Sequence, residues 1–270
     1  MISSTVMSAP ALQLIGTVHV APSADALYDD LAHLLVATAV SAVDQRGVFH
    51  LALSGGSTPE PFYMRLIMDT RYRVIPWKQT HIWMVDERRV PADDEKSNFK
   101  MIRETLADHV PTHSRQIHPM PVLADDPAAL YEVEIRRVLE TSDTDATPRL
   151  DFVLLGMGDD GHTASLFPHS PALEEADRLI TINAGPNVVP PDRVTTTFPL
   201  LNAARQVAVL VTGARKAAAL RRVDRQLSTT GPDPEQLPIT GIQPTPGDDS
   251  EMIWFLDTAA IEAPPESTDE

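Results

Sequence analysis

The chain has 270 residues, of which 43% are hydrophobic and 22% charged, so it can bury a substantial core as one large domain. Its formal net charge of −16 at pH 7 argues against DNA, RNA or an anionic membrane as a partner, because clustered Lys and Arg side chains make those contacts. The lack of cysteine excludes disulfides and a thiolate nucleophile, and it leaves only His and carboxylate ligands for a zinc ion.

The first half of the chain is predicted to alternate helices with strands. Each predicted helix begins at a residue suited to an N-cap or a first turn, and apolar residues follow at helical spacing. Continuous apolar runs of strand length predict the strands. The predicted helices begin at Ser23, Pro59, Ser97 and Asp126, and the predicted strands cover 48–53 and 80–85.

The second half continues this alternation, with predicted strands at 151–155, 179–183, 207–212 and 252–256 and a helix over 214–227. Such an order implies an α/β fold with a mainly parallel, doubly wound, Rossmann-like sheet and helices on both faces. We interpret 1–270 as a single domain. Within it, 228–250 is predicted to be a long surface connection, and the ends near 1–10 and 262–270 are predicted to be loose.

The chain carries no recognisable targeting segment. Residues 1–10 lack a basic region ahead of an apolar one, and no uncharged run approaches the ~18 residues that a membrane span needs. We therefore expect a cytoplasmic protein that does not bind membranes. The composition leaves its oligomeric state open between a monomer and a weak dimer.

A glycine-rich loop follows the strand predicted at 48–53. Ser54, Gly55, Gly56, Ser57 and Thr58 lie between that strand and the helix predicted from position 59. Free amides at a helix start, nearby hydroxyls and the positive end of the helix dipole all favour an anion. Ser57 or Thr58 is expected to cap the helix. The loop is thus a candidate phosphate cradle, although a plain strand-to-helix turn has the same pattern.

A second glycine-rich loop, in 151–163, follows the buried strand predicted at 151–155. It places His162 beside three glycines, at 156, 158 and 161, which let backbone approach a ligand closely. Ligands in open α/β sheets bind at such strand ends. This pattern is typical of an active site.

Two further segments complete a set of motifs, VDERRVP at 85–91 and VTGARK at 211–216. Together with both loops, the set resembles the 6-phosphogluconolactonase family. The resemblance runs from 54 to 257 in the family's order, and it includes Ser97-Asn98, DRVTTTFPLLNAAR at 192–205 and a closing IWFLD. It implies hydrolysis of 6-phospho-D-glucono-1,5-lactone, a small sugar-phosphate substrate, to 6-phospho-D-gluconate in the oxidative pentose phosphate pathway.

The resemblance also implies roles for individual residues. His162 is expected to activate water as a general base, because a neutral imidazole with a pKa of about 6.5 is a competent base at neutral pH. Asp86 is expected to orient either the substrate hydroxyls or His162. Asp159 and Asp160 either orient the imidazole or turn the loop. We include Gly158 and Asp160 in the predicted substrate site.

Three cations, Arg88, Arg193 and Lys216, are expected to bind the substrate. Arginine matches a phosphate with a two-donor fork, whereas lysine acts as a movable point charge. The family pattern assigns phosphate to Lys216 and other substrate contacts to the two arginines. Arg88 could instead pair with Asp86 or Glu87 for structural reasons. We expect no metal and no cofactor, since the other histidines lie in strand patterns or are scattered over a helix end and a loop, and so do not share one helix face as in a helical metal site: His50, His81, His109, His113 and His118.

Two other functions compete with lactone hydrolysis. The related amino-sugar phosphate isomerases and deaminases share the fold, the phosphate loop and the Gly-x-Asp-Gly-His core. They continue with a glutamate-containing segment that supports the histidine, whereas this chain continues His-Thr-Ala-Ser-Leu-Phe-Pro over 162–168. The other alternative is a sugar-phosphate sensor that binds its ligand without turnover.

Overall fold

The computed structural model describes residues 12–139, 146–244 and 250–262. Within these ranges ten strands form two sheets, and seven α-helices surround them. The strands are β1 (Thr17–Ala21), β2 (Phe49–Leu53), β3 (Thr80–Met84), β4 (Asp86–Arg88), β5 (Ile117–His118), β6 (Phe152–Gly156), β7 (Ile180–Ala184), β8 (Asp192–Thr196), β9 (Gln206–Val211) and β10 (Glu251–Asp257). The helices are α1 (Ala24–Arg46), α2 (Glu60–Met68), α3 (Asn98–Thr105), α4 (Pro127–Val138), α5 (Phe198–Asn202), α6 (Ala217–Thr229) and α7 (Thr258–Glu262).

The larger sheet has seven strands in the order β1-β10-β9-β6-β2-β3-β5, and all neighbouring strands in it run parallel. Every residue of β2 and β9 is buried, which explains why both strands read as continuous apolar runs rather than as alternating ones. The predicted α/β class with a mainly parallel sheet is confirmed.

A smaller antiparallel sheet has the order β4-β8-β7. Two strand predictions need correction because of it. The apolar run at 80–85 ends as β3 at Met84, and the chain then enters the second sheet at Asp86. The run at 179–183 forms β7 of this smaller sheet and does not extend the parallel one. The strands β1, β4, β5 and β8 were not predicted, because each is only two or three residues long or is interrupted by polar residues, and so lacks a continuous apolar run.

Helix α1 is long and apolar enough, by length and composition alone, to cross a membrane. In this fold Leu27, Leu31, Leu35 and Ala39 are fully buried on the face that packs against β1, β2 and β10. These four residues therefore pack against the parallel sheet in the core. The predicted N-cap, Ser23, accepts a hydrogen bond from the amide of the third following residue at 3.2 Å.

Two of the other helix starts follow the capping rules and one does not. Ser97 Oγ accepts from the Lys100 amide at 3.1 Å, and Asp126 Oδ1 accepts from the Ala129 amide at 3.0 Å, as predicted. Helix α2 instead has Pro59 as its N-cap with no side-chain cap. The expectation that a loop hydroxyl caps this helix was therefore wrong.

The connection predicted at 228–250 is only partly a surface segment. Helix α6 runs to Thr229, and the turn Pro238–Gly241 is buried. The Ile239 amide donates to the carbonyl of Gly161 at 3.0 Å, so this turn packs against the His162 loop. Residues 245–249 lie outside the described part. So do the predicted loose ends at 1–10 and 262–270, apart from Glu262, which closes α7. The single-domain interpretation stays a prediction.

Candidate active site

Loops at the carboxyl ends of the parallel strands surround a cleft of about 490 Å³. Strand β6 lies between β9 and β2, so the loops after these three strands meet at one edge. Eleven of the twelve residues selected from the sequence line the cleft: Ser54, Gly55, Gly56, Ser57, Thr58, Asp86, Arg88, Gly158, His162, Arg193 and Lys216. The twelfth, Asp160, contacts the imidazole.

The first glycine-rich loop forms one wall. Gly56 has φ +97, a left-handed conformation that favours glycine, and a Cβ on Gly55 would come 1.8 Å from Asn98 Oδ1. The Ser54 hydroxyl donates to the Leu154 carbonyl at 2.8 Å and is buried, so it ties β2 to β6. The hydroxyls available at the start of α2 are therefore those of Ser57, which is exposed, and Thr58, which is half-buried.

His162 and Asp160 form a dyad on the second loop. The Nδ1 atom of His162 lies 2.5 Å from Asp160 Oδ1, which also accepts the His162 amide at 3.1 Å. Burial opposes ionisation of this carboxyl, but the hydrogen bonds and charge of the histidine outweigh it and lower the pKa of Asp160. Across the described residues Nε2 has no hydrogen-bond partner, so this nitrogen is the one left to act on a ligand.

Glycine is required where the backbone closes under this imidazole. A Cβ on Gly158 would lie 2.1 Å from His162 Nδ1 and 2.7 Å from Asp160 Oδ1. The Gly158 amide donates to the His162 carbonyl at 2.8 Å, and Gly161 has φ +87. The glycines therefore allow the tight turn that brings the carboxylate against the ring.

Asp86 is held by two residues that the sequence analysis did not select as site residues. Its Oδ2 accepts from Ser165 Oγ at 2.5 Å, and its Oδ1 accepts from Asn98 Nδ2 at 3.2 Å. All three residues are buried and line the cleft. Both residues lie in motifs noted in the sequence, Ser97-Asn98 and His-Thr-Ala-Ser at 162–165. Neither motif indicated that its residue would contact Asp86. Asp86 makes no hydrogen bond to His162 in the described chain, so it is free to orient substrate hydroxyls.

The side chain of Glu87 caps a helix and does not pair with Arg88. Its carboxylate accepts from Ser97 Oγ and from the amides of Arg88, Asn98 and Phe99 at 2.7 to 2.9 Å. The guanidinium of Arg88 donates instead to the Lys96 carbonyl at 2.6 Å. Neither structural ion pair considered for this arginine is present among the described residues.

Arg88 and Arg193 are direct partners in the register between β4 and β8. Like charges directly opposite each other on antiparallel strands are destabilising, and the described residues give neither arginine a salt-bridge partner. Burial is the main reason that the pKa of Arg193 is lowered, which indicates a poorly solvated cation. Its guanidinium donates to the Pro190 and Asp192 carbonyls. The pair provides concentrated positive charge for an anion in the cleft.

Lys216 lies in the turn that precedes α6, and its side chain lines the cleft. Its Nζ lies 2.6 Å from Asp159 Oδ1. Arg215 NH2 lies 3.6 Å from the other oxygen of the same carboxylate. The side chain of Asp159 thus contacts cations from a second loop, which the sequence analysis did not anticipate.

Three of the histidines outside the cleft lie on neighbouring strands of the larger sheet. His50 and His81 are register partners on β2 and β3, and His118 stacks on Trp83 with ring centroids 3.7 Å apart. Trp83 and Trp254 are buried in the core, as expected. No group of three or more His and carboxylate side chains in the described ranges is arranged to hold a metal ion.

Comparisons with known proteins agree with the motifs. The family model described as glucosamine-6-phosphate isomerases/6-phosphogluconolactonase matches residues 22–254. A Synechocystis sp. 6-phosphogluconolactonase is 42% identical over 82% of this chain and 87% of its own length. The human GDH/6PGL endoplasmic bifunctional protein is 40% identical over 87% of this chain, which spans only 29% of that longer protein.

A solved structure extends the likeness to the fold. The 6-phosphogluconolactonase of Leishmania guyanensis superposes with a TM-score of 0.77 at 28% identity, covering 92% of this chain and 98% of that one. Because the family model covers most of the chain and the sequence and fold comparisons agree, the chain belongs to the glucosamine-6-phosphate isomerase/6-phosphogluconolactonase family.

Proposed function

We propose that this chain hydrolyses 6-phospho-D-glucono-1,5-lactone to 6-phospho-D-gluconate in the oxidative pentose phosphate pathway. The observation that carries the proposal is the His162–Asp160 dyad, which lies in a cleft lined by a glycine-rich loop and cations. A base beside an anion-binding pocket suits a phosphorylated ester that is opened by water. Relatives named 6-phosphogluconolactonase support the choice of substrate.

The proposed reaction begins when Nε2 of His162 takes a proton from a water molecule. The hydroxide adds to the lactone carbonyl carbon, and the electrons of the C=O bond move to the oxygen. Asp160 holds the proton on Nδ1 and stabilises the imidazolium that forms. As the tetrahedral intermediate collapses, the ring C–O bond breaks, and the imidazolium returns its proton to the departing ring oxygen. The net change is the addition of one water molecule.

The substrate is proposed to be held at its phosphate and its hydroxyls. The start of α2, the arginine pair at 88 and 193, and Lys216 provide three sources of positive potential around one cleft. Asp86, fixed by its two hydrogen-bond donors, accepts hydrogen bonds from substrate hydroxyls. We assign the phosphate to Lys216 and the loop at 54–58.

The groups around His162 distinguish the proposed reaction from amino-sugar phosphate deamination. The ring of Phe167 packs against His162 with the centroids 5.0 Å apart. Among the described residues, Asp160 is the single carboxylate that hydrogen-bonds the histidine. The related deaminases have a glutamate after the histidine that supports it, whereas residues 162–168 of this chain contain no carboxylate. This difference favours the lactonase.

A coupled assay with freshly generated lactone, corrected for spontaneous hydrolysis, tests the proposal. We expect the purified protein to accelerate opening of the phosphorylated lactone far more than that of gluconolactone, with and without a chelator. Ammonia release from glucosamine 6-phosphate at a comparable rate would select the deaminase. Tight binding of 6-phosphogluconate without any turnover would select the sensor. Full activity only after zinc is added would reject the metal-free mechanism.

We further propose that the chain acts in the cytoplasm, as a monomer or weak dimer, without nucleic-acid or membrane partners. The net charge of −16 supports the exclusion of polyanionic partners. Sedimentation at several protein concentrations would test the oligomeric state, and a stable larger assembly would contradict it.

A further inference from the structure

Cationic side chains converge on Asp159 at the rim of the cleft. Lys216 Nζ lies 2.6 Å from its Oδ1, Arg215 NH2 lies 3.6 Å from its Oδ2, and Arg222 donates to its backbone carbonyl at 3.5 Å. Asp159 and Lys216 both line the cleft, whereas Arg215 does not. The side chain of Lys216 is 21% exposed, whereas the side chain of Asp159 is 57% exposed. The lysine is therefore the more fixed partner of the pair.

The ammonium that contacts Asp159 is the same group that we assign to the substrate phosphate. An ammonium has three donors, and each donor given to a carboxylate is lost to a phosphate oxygen. A carboxylate beside the phosphate would also repel it, because both are negative. The aspartate and the phosphate consequently compete for one cation.

We propose that Asp159 is an internal competitor of the substrate phosphate for Lys216 and thereby sets how tightly the cleft holds phosphorylated ligands. The inference rests on the proposed phosphate-binding role of Lys216. When phosphate binds, the ammonium exchanges the carboxylate for phosphate oxygens, and the exposed Asp159 side chain turns to solvent. No covalent bond is made or broken in this exchange.

Such competition has a kinetic benefit for the proposed reaction. The phosphate is present in both the substrate and the product, so it contributes binding that does not change along the reaction. Binding of this uniform kind retains the product as strongly as it recruits the substrate. By weakening the binding of both substrate and product, Asp159 raises KM and promotes product release. The chemical step at His162 is unaffected.

Calorimetric titration of four proteins with inorganic phosphate and with 6-phosphogluconate tests the proposal. The proteins are the wild type, Asp159→Asn, Lys216→Met and the double variant. We expect Asp159→Asn to bind both ligands about threefold to tenfold more tightly, since an ion pair and a repulsion are removed together. In the Lys216→Met background the same substitution should bring no gain, because no ammonium remains to be contested.

A matched control separates this competition from a general change in charge. Glu235 pairs with His169 and does not contact Lys216, yet its segment packs beside the His162 loop. Glu235→Gln removes one negative charge near the cleft and should leave the affinity for phosphate unchanged. In steady-state assays Asp159→Asn should lower KM and strengthen product inhibition, without raising the rate of the chemical step.

Several results would overturn the proposal. Weaker or unchanged phosphate binding by Asp159→Asn would mean that the aspartate positions Lys216 for the ligand or has no effect on it. An equal gain in Glu235→Gln, or a gain that persists without the lysine, would indicate a general field effect. A wild-type protein that binds phosphate but opens no lactone would reject the hydrolase and leave this test intact. A wild type that binds no phosphate would reject the shared phosphate site itself.

Discussion

At the scale of single residues, the proposed base and the cations proposed to bind the substrate are separate groups in the cleft. Asp160 fixes one nitrogen of His162 at 2.5 Å and leaves the other for the ligand. The cations at 88, 193 and 216 are distributed around the same space. In the proposed reaction, chemistry and anion binding depend on different side chains, so substitutions should separate the two.

Replacing His162 by Asn should affect turnover far more than ligand binding. The change removes the base and keeps the phosphate contacts, so we expect kcat to fall by about 100-fold or more. The affinity for 6-phosphogluconate, measured by calorimetry, should change little. Asp160→Asn should also lower kcat, by a smaller factor, because the imidazole keeps its position but loses the charge that stabilises it. Near-normal turnover in the His162 variant would show that another group activates the water.

Replacing Lys216 by Ala should selectively weaken the binding of phosphorylated ligands. Loss of a charge-assisted contact in a partly desolvated site should cost roughly 1.5 to 3 kcal/mol, or about 10-fold to 150-fold in affinity. Slow hydrolysis of unphosphorylated gluconolactone, which has nothing for the lysine to contact, should be nearly unchanged. Equal losses for both substrates would place Lys216 near the carbonyl oxygen, and the phosphate would then be assigned to the arginine pair.

At the scale of elements, the glycine-rich loop at 54–58 and helix α3 pack closely through Gly55 and Asn98. The helix start is held by the buried Glu87 carboxylate, and Asn98 reaches from it to Asp86. Its Oδ1 atom is buried and has no hydrogen-bond partner among the described residues, and it faces Gly55 across a gap too narrow for a Cβ. The loop conformation and the position of Asp86 are therefore coupled through the side-chain amide of Asn98.

Gly55→Ala should disturb both the fold and the cleft. The new Cβ would lie 1.8 Å from Asn98 Oδ1, so the amide must move and its hydrogen bonds to Asp86 must lengthen. We expect the free energy of unfolding, measured with urea, to fall by roughly 1 to 3 kcal/mol, as for other overpacked sites. Gly156→Ala is the matched control, because a Cβ there meets nothing within 4 Å. Equal stability of both variants would contradict the proposed coupling.

At the scale of the whole molecule, the parallel sheet positions the active loops at one edge and buries histidines within the strands. Burial, followed by the charges of His81, His118 and Arg46, lowers the pKa of His50 to about 3. Burial and the charge of His81 lower the pKa of His118 to about 4. Both imidazoles are therefore neutral in the folded protein at pH values where the unfolded chain would bind protons.

The stability of the fold should decrease as the pH falls below about 6.5, the ordinary pKa of histidine. A lowered folded-state pKa means that the unfolded chain binds more protons between that pH and the folded pKa, so acid favours unfolding there. His50 alone should reduce the free energy of unfolding by about 2 kcal/mol between pH 7 and pH 5. Urea titrations of the wild type and His50→Asn should show a shallower pH dependence in the variant. Parallel curves would exclude this contribution.

Much of the site could be predicted from the sequence because its signals are local. A glycine-rich loop after an apolar run, a histidine two residues after Asp160 and a helix start at Ser97 each occupy a few consecutive residues. Backbone conformation and capping depend on such short segments. The α/β class followed for the same reason, since burial on both faces makes each central strand of a parallel sheet apolar throughout.

Tertiary structure alone decided which side chains from different loops are partners. Asp86 receives its hydrogen bond from Ser165, 79 residues away, and Lys216 contacts Asp159 across 57 residues. The antiparallel register that places Arg88 opposite Arg193 exists only once the small sheet has formed. Local sequence encodes the conformation of a loop, but the contacts between loops depend on strand order and register. Those are determined by packing over the whole sheet, which no short segment contains.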